Sequence, residues 1–116
     1  MQELRVKTNQ IELQVRDYQG KGDPVIFLHF SSANLMMWQR VTPLFHEKYR
    51  VILVDLRGHG RSDRPETSHH IDEMARDIAG MMERMELVEA HIIGSSLGAE
   101  AGLSLAANYP GKVISL

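Results

Sequence analysis

Between an apolar run, Ala90-His91-Ile92-Ile93, and a stretch rich in small side chains, Leu97 to Asn108, lie the five residues Gly94-Ser95-Ser96-Leu97-Gly98. Glycines two positions before and two positions after a serine leave the backbone few ways to fold. They mark a strand that turns abruptly into a helix: the serine at the apex takes a strained conformation, and only very small neighbours let the flanking backbones approach. Such a turn, a nucleophile elbow, holds the Ser96 hydroxyl above the carboxyl end of its strand. It also aims the Leu97 amide at the oxygen that gains charge when a carbonyl is attacked. A plain glycine-rich packing turn is the competing reading, and Ser95 lacks the flanking glycine spacing that a nucleophile needs.

The rest of the chain supplies a sheet for that turn. Leu4, Val6 and Thr8 alternate with Arg5 and Lys7, and Ile11, Leu13 and Val15 alternate with Glu12, Gln14 and Arg16, which reads as an antiparallel pair joined through Thr8-Asn9-Gln10. Val25-Ile26-Phe27-Leu28 and Val51-Ile52-Leu53-Val54 are unbroken apolar runs, as in parallel strands covered on both faces. Val113 to Leu116 is a weaker run of the same kind. Helices are expected over Ile71 to Met85, with Ile71, Met74, Ala75, Ile78, Met82 and Met85 as one stripe and Asp77 outside it, and over Leu97 to Asn108. A shorter helix is expected around Trp38, Val41 and Phe45, with Pro43 in its first turn or kinking it. The order is ββ followed by β-α-β-α-β-α-β, an α/β fold built on a mostly parallel sheet with an antiparallel first pair of strands and helices on both faces.

Composition narrows the function classes. With 116 residues the chain is one domain at most, and a net charge of −2 without any Lys/Arg run argues against nucleic acid or an anionic membrane as partner. A small molecule is the expected partner. The absence of cysteine removes disulfides and thiolate metal sites. No apolar leader or membrane-length run appears at the start or later, so the cytoplasm is the expected location. Gly58 and Gly60 flank His59, but no phosphate-loop spacing is present, so no nucleotide cofactor is expected. His69-His70 with Asp72 and Glu73 reads as a solvated helix start rather than a metal site, because consecutive histidines on a helix point in different directions. No metal and no cofactor are expected.

Three blocks, Leu28-His29-Phe30-Ser31, Asp55-Leu56-Arg57-Gly58-His59-Gly60-Arg61-Ser62 and Gly94-Ser95-Ser96-Leu97-Gly98, each follow a strand, and with them the chain resembles the N-terminal portion of an α/β-hydrolase-fold protein of the serine esterase, lipase and lactonase type. The resemblance implies Ser96 as nucleophile, Leu97 as one oxyanion donor and Gly94 and Gly98 as the elbow glycines. It implies Ser31 as the other donor, with His29 in its usual place and Phe30 where glycine is usual; Ser31 as a simple loop residue stays open beside it. Asp55 and Arg57 would form an internal polar network, and His59 a turn residue. A serine at position 96, where dehalogenases and epoxide hydrolases of this fold carry aspartate, points to acyl-enzyme ester or lactone chemistry.

In this fold the acid and the histidine follow the serine along the chain. After Ser96 only Glu100 is acidic, and all six histidines come before it. The expectation is a truncated hydrolase domain over residues 1–116, inactive alone, and self-associated or strand-exchanged through its last strand. The alternative is a non-catalytic fragment or binding module that keeps the pocket floor.

Overall fold

The computed structural model of the chain describes residues 1–66 and 70–116. Strands β1 (Gln2–Thr8), β2 (Ile11–Asp17), β3 (Pro24–Leu28), β4 (Arg50–Val54), β5 (Ala90–Gly94) and β6 (Val113–Ser115) form a mixed sheet in the order β1-β2-β4-β3-β5-β6. The β1–β2 hairpin pairs Thr8 with Ile11, and the two residues between them, Asn9 and Gln10, have φ of 47° and 69°. Two successive positive φ values are what a type I′ turn demands, and that turn matches the twist of the strands it joins. β2 runs antiparallel to β4, while β4, β3, β5 and β6 run parallel. The alternating segments therefore form the antiparallel edge, and the unbroken apolar runs β3 and β4 lie in the interior.

Two helices, α1 (Ile71–Arg84) and α2 (Leu97–Asn108), cover one face of the sheet. Met74, Ile78, Met81 and Met82 of α1 and Ala101 and Leu105 of α2 bury themselves against Ile26, Leu28, Ile52 and Ile92. The face of α1 is wider than the expected stripe, because Met81 and Asp77 are buried with it. On the opposite face Val25, Phe27, Val51 and Leu53 pack under Leu35 and Trp38. The segment covering that face is not the single short helix that its apolar spacing suggests. It forms two 3₁₀ turns, Leu35–Trp38 and Thr42–Leu44. The Asn34 side chain accepts from the Met36 amide at the start of the first. Pro43 opens the second, and having no N–H it cannot continue an α-helical ladder from the first.

Candidate active site

Strand order places the site. From β3 the chain leads to β4 on one side, whereas from β5 it leads to β6 on the other. The connections leaving two adjacent parallel strands thus diverge, and the crevice between them at their carboxyl ends is where open α/β sheets bind ligands. Leu28, the last residue of β3, pairs with Gly94, the last of β5, so the 29–34 loop and the 95–97 turn rise side by side.

The turn has the strain expected of it. Ser95 is tied down through its amide to the Leu28 carbonyl at 3.0 Å and through its carbonyl to the Gly98 amide at 2.9 Å. Ser96 is exposed, with φ 51° and ψ −109°. That backbone conformation costs a non-glycine residue on the order of 1–3 kcal/mol. The two glycines are required by contact. A Cβ on Gly94 would stand 2.5 Å from the Gly98 carbonyl, and one on Gly98 would collide with the Leu28 carbonyl oxygen and stand 2.8 Å from that of His29. α2 begins at Leu97, and among the described residues no acceptor is found for the Leu97 amide.

Beside it, Phe30 and Ala33 close a β-turn, the Ala33 amide donating to the Phe30 carbonyl at 3.2 Å, with φ 66° at Ser32 as a type II turn requires of its third residue. Ser31, second in that turn, is exposed, and its amide likewise has no acceptor among the described residues. Phe30 is 44% exposed. Its side chain stands at the rim of the loop rather than in the core.

His29 is fully buried, and both of its ring nitrogens are engaged. Nε2 lies 3.0 Å from the Leu56 amide, which can only donate, so Nε2 is the unprotonated acceptor. Nδ1 then carries the proton and donates it to the Phe30 carbonyl at 2.7 Å. Burial holds this imidazole below its ordinary pKa against the opposing bond to the Phe30 carbonyl, and the nearby His59 ring adds to the lowering.

The 55–62 block is a closed polar network. Asp55 accepts from the amides of Leu35 at 2.7 Å and Arg61 at 2.9 Å, and the Ser62 hydroxyl donates to the Asp55 carbonyl at 2.5 Å. Arg57 grips Asp77 of α1 through two nitrogens, at 2.6 and 2.8 Å, with both side chains buried. Asn9 bridges from the hairpin to Asp77 and Glu73, at 2.9 Å to each. Sequence periodicity misses Asp77 as a buried residue, although its position three after Met74 and four before Met81 is a usable signal.

The other described histidines lie outside this crevice or are committed. His59 Nδ1 donates to the Arg57 carbonyl at 2.9 Å. His91 pairs with Val25 near the amino ends of the strands, bonded to Ser115 at 2.7 Å and Asp23 at 3.2 Å. His46 stacks on Tyr18, and His70 precedes α1. His69 lies outside the described residues. Among the described residues no group of His, Cys, Asp or Glu is placed to hold a metal ion, and no helix is long and apolar enough to cross a membrane.

Residues 23–116 match the alpha/beta hydrolase fold family. The chain is 36% identical over 112 residues to 2-(acetamidomethylene)succinate hydrolase of Mesorhizobium japonicum, a match spanning 97% of this chain and 40% of that protein. It is 33% identical over 102 residues to fluoroacetate dehalogenase of Burkholderia sp, spanning 84% and 34%. Among solved structures, the N-acyl homoserine lactone degrading enzyme Est816 superposes with a TM-score of 0.90 at 33% identity, over 96% of this chain and 42% of that one. The chain thus spans about two-fifths or less of the length of these relatives.

Proposed function

Because the chain belongs to the alpha/beta hydrolase fold family, we propose that Ser96 is the nucleophile of a serine hydrolase acting on small carboxylic esters, lactones or related acyl compounds. The observation that carries this reading is the strained, exposed Ser96 at the end of β5, beside two amides without acceptors among the described residues. Membership alone does not choose the chemistry, since the relatives include both a hydrolase of 2-(acetamidomethylene)succinate and a fluoroacetate dehalogenase. The serine at the apex supports the acyl reading. A serine oxygen attacks a carbonyl, the tetrahedral oxyanion takes hydrogen bonds from Leu97 and Ser31, the alcohol departs, and water cleaves the acyl ester.

The base is not among the described histidines. Both nitrogens of His29 are held by backbone groups, and His91 stands near the other end of the strands. Glu100, on the outer surface of α2, is not placed to orient a base. We infer that base and acid lie outside the described residues or on another polypeptide, and that the described residues alone act as a non-catalytic module. The chain alone is expected to hydrolyse an activated ester no faster than its Ser96→Ala variant. Supplied with the later strands of the fold, it gains an activity that Ser96→Ala lowers by about 10⁴-fold or more. A completed protein that keeps its activity in Ser96→Ala contradicts the reading.

The outer strand β6 is the assembly surface. Leu116 and Leu103 are exposed, and with Ile92, Ile93, Gly94 and Ala99 they line an apolar cleft of about 350 Å³. Pairing of the β6 edge with a second copy extends the sheet beside this cleft. Light scattering of the chain is expected to show dimers or larger species, and a stable monomer at high concentration contradicts this.

A further inference from the structure

We propose that His29 is the positioning residue that aims the Ser31 amide, acting through the peptide unit between Phe30 and Ser31. The inference deepens the serine-hydrolase reading and rests on Ser31 as an oxyanion donor. The peptide bond between Phe30 and Ser31 is trans, so the Phe30 carbonyl and the Ser31 amide lie in one plane and point in opposite directions. Whatever fixes the carbonyl fixes the amide. The Phe30 carbonyl is held twice: by His29 Nδ1 at 2.7 Å and by the Ala33 amide at 3.2 Å. The shorter of these bonds comes from a ring that cannot swing away, because it is fully buried and its far nitrogen accepts the Leu56 amide at 3.0 Å.

The tautomer is what makes this a device and not only packing. The Leu56 amide needs a lone pair on Nε2, and satisfying it leaves the only ring proton on Nδ1, facing Phe30. Leu56 belongs to the 55–62 block, whose Asp55 carboxylate also holds the Leu35 amide at the far end of the same loop. The rigid polar block after β4 therefore dictates the proton position on His29, and His29 dictates the direction of the Ser31 amide. This explains how Phe30 is tolerated where the resemblance leads one to expect glycine: the peptide orientation is set by the imidazole, while the Phe30 side chain lies outward, 44% exposed. Across the crevice, the backbone carbonyls of Leu28 and His29 lie against Gly98, so the loop base cannot shift away from the elbow without opening that contact.

Two variants separate the functions of the two nitrogens. In His29→Asn the amide nitrogen takes the place of Nδ1 and keeps a donor for Phe30, while the acceptor for Leu56 is lost. In His29→Gln the side-chain oxygen takes the place of Nε2 and keeps the acceptor, while the donor to Phe30 is lost. Residual dipolar couplings of the ¹⁵N-labelled chain read the direction of each N–H bond. The Ser31 coupling is expected to shift in His29→Gln and to stay at its wild-type value in His29→Asn, with Ser95 and Leu97 unchanged in both. A Ser31 coupling that is unchanged in a folded His29→Gln chain overturns the proposal. Where either variant fails to fold, ¹⁵N correlation of the wild-type imidazole decides: a neutral ring protonated on Nδ1 supports the proposal, and one protonated on Nε2 or on both nitrogens overturns it. These outcomes are independent of the nucleophile. A Ser31 amide that follows His29 in a protein whose Ser96 is inert defeats the functional reading and not this one.

Discussion

Two glycine-containing turns follow parallel strands of this sheet, and they use glycine to opposite ends. In the turn after β4, Gly60 takes φ 51°, and the Asp55 carboxylate fills the space where its Cβ would stand. That carboxylate is in turn satisfied by two backbone amides, and the neighbouring Arg57 is locked to Asp77. In the turn after β5 the positive φ, also 51°, falls on Ser96, and the glycines lie on either side to let the backbones close. One turn places its unusual backbone where it costs little and closes a polar network. The other keeps its strain on a residue with a hydroxyl and leaves amides open. Strain and open hydrogen-bonding capacity together, not glycine content, distinguish the candidate site from scaffold.

The largest break in that contrast comes from the scaffold side. Asp77→Ala weakens the pairing of the buried Arg57 guanidinium and is expected to lower stability by about 3 kcal/mol, since an ion inside a protein loses much when its carboxylate goes. Urea unfolding reads this directly, and a loss below about 1 kcal/mol shows that the network is not what holds the turn. A sharper comparison exchanges the two apices. Gly60→Ala drives a methyl group into Asp55 and is expected to cost about 2 kcal/mol. Ser96→Gly relieves a strained backbone and is expected to raise stability by about 1 kcal/mol. Equal signs for the two substitutions remove the distinction between the turns.

The smallest effect is a pH slope. Burial holds His29 below the ordinary value of 6.5, opposed by its hydrogen bond to the Phe30 carbonyl, with the His59 ring lowering it further and the Asp55 charge opposing. The unfolded chain takes up the proton as pH falls through about 6.5, whereas the folded ring resists until lower pH. The His29 contribution is therefore complete above about 6.5 and is lost as pH falls toward the folded value. His29→Asn is expected to flatten that part of the stability profile, and an unaltered slope shows that another group carries it.

Much of this was legible in the chain. Alternation in residues 4–15 marks the antiparallel hairpin, and the four-residue apolar runs ending at Leu28 and Val54 mark strands covered on both faces, because those patterns report burial directly. The elbow is legible because steric demand leaves glycine alone at positions 94 and 98. Three features were not. The 35–44 segment looks helical by apolar spacing, and although Pro43 marks a kink, spacing does not report that the segment divides into two separate 3₁₀ turns. Asp77 looks like a surface residue because periodicity sees its polarity and not its partner Arg57, twenty residues away. The engagement of both His29 nitrogens depends on the Leu56 amide, brought close only by strand pairing.

Ser96 as nucleophile is the proposal on which the rest of the function depends. The most direct test supplies the chain with the later strands of the fold, as an extension or as a separate polypeptide, treats the assembly with a fluorophosphonate probe, and maps the adduct by peptide mass spectrometry. A phosphonyl group on Ser96, absent from Ser96→Ala, is the expected result. A folded assembly that is active on esters but carries the label on another residue contradicts the claim and leaves the elbow as a packing turn.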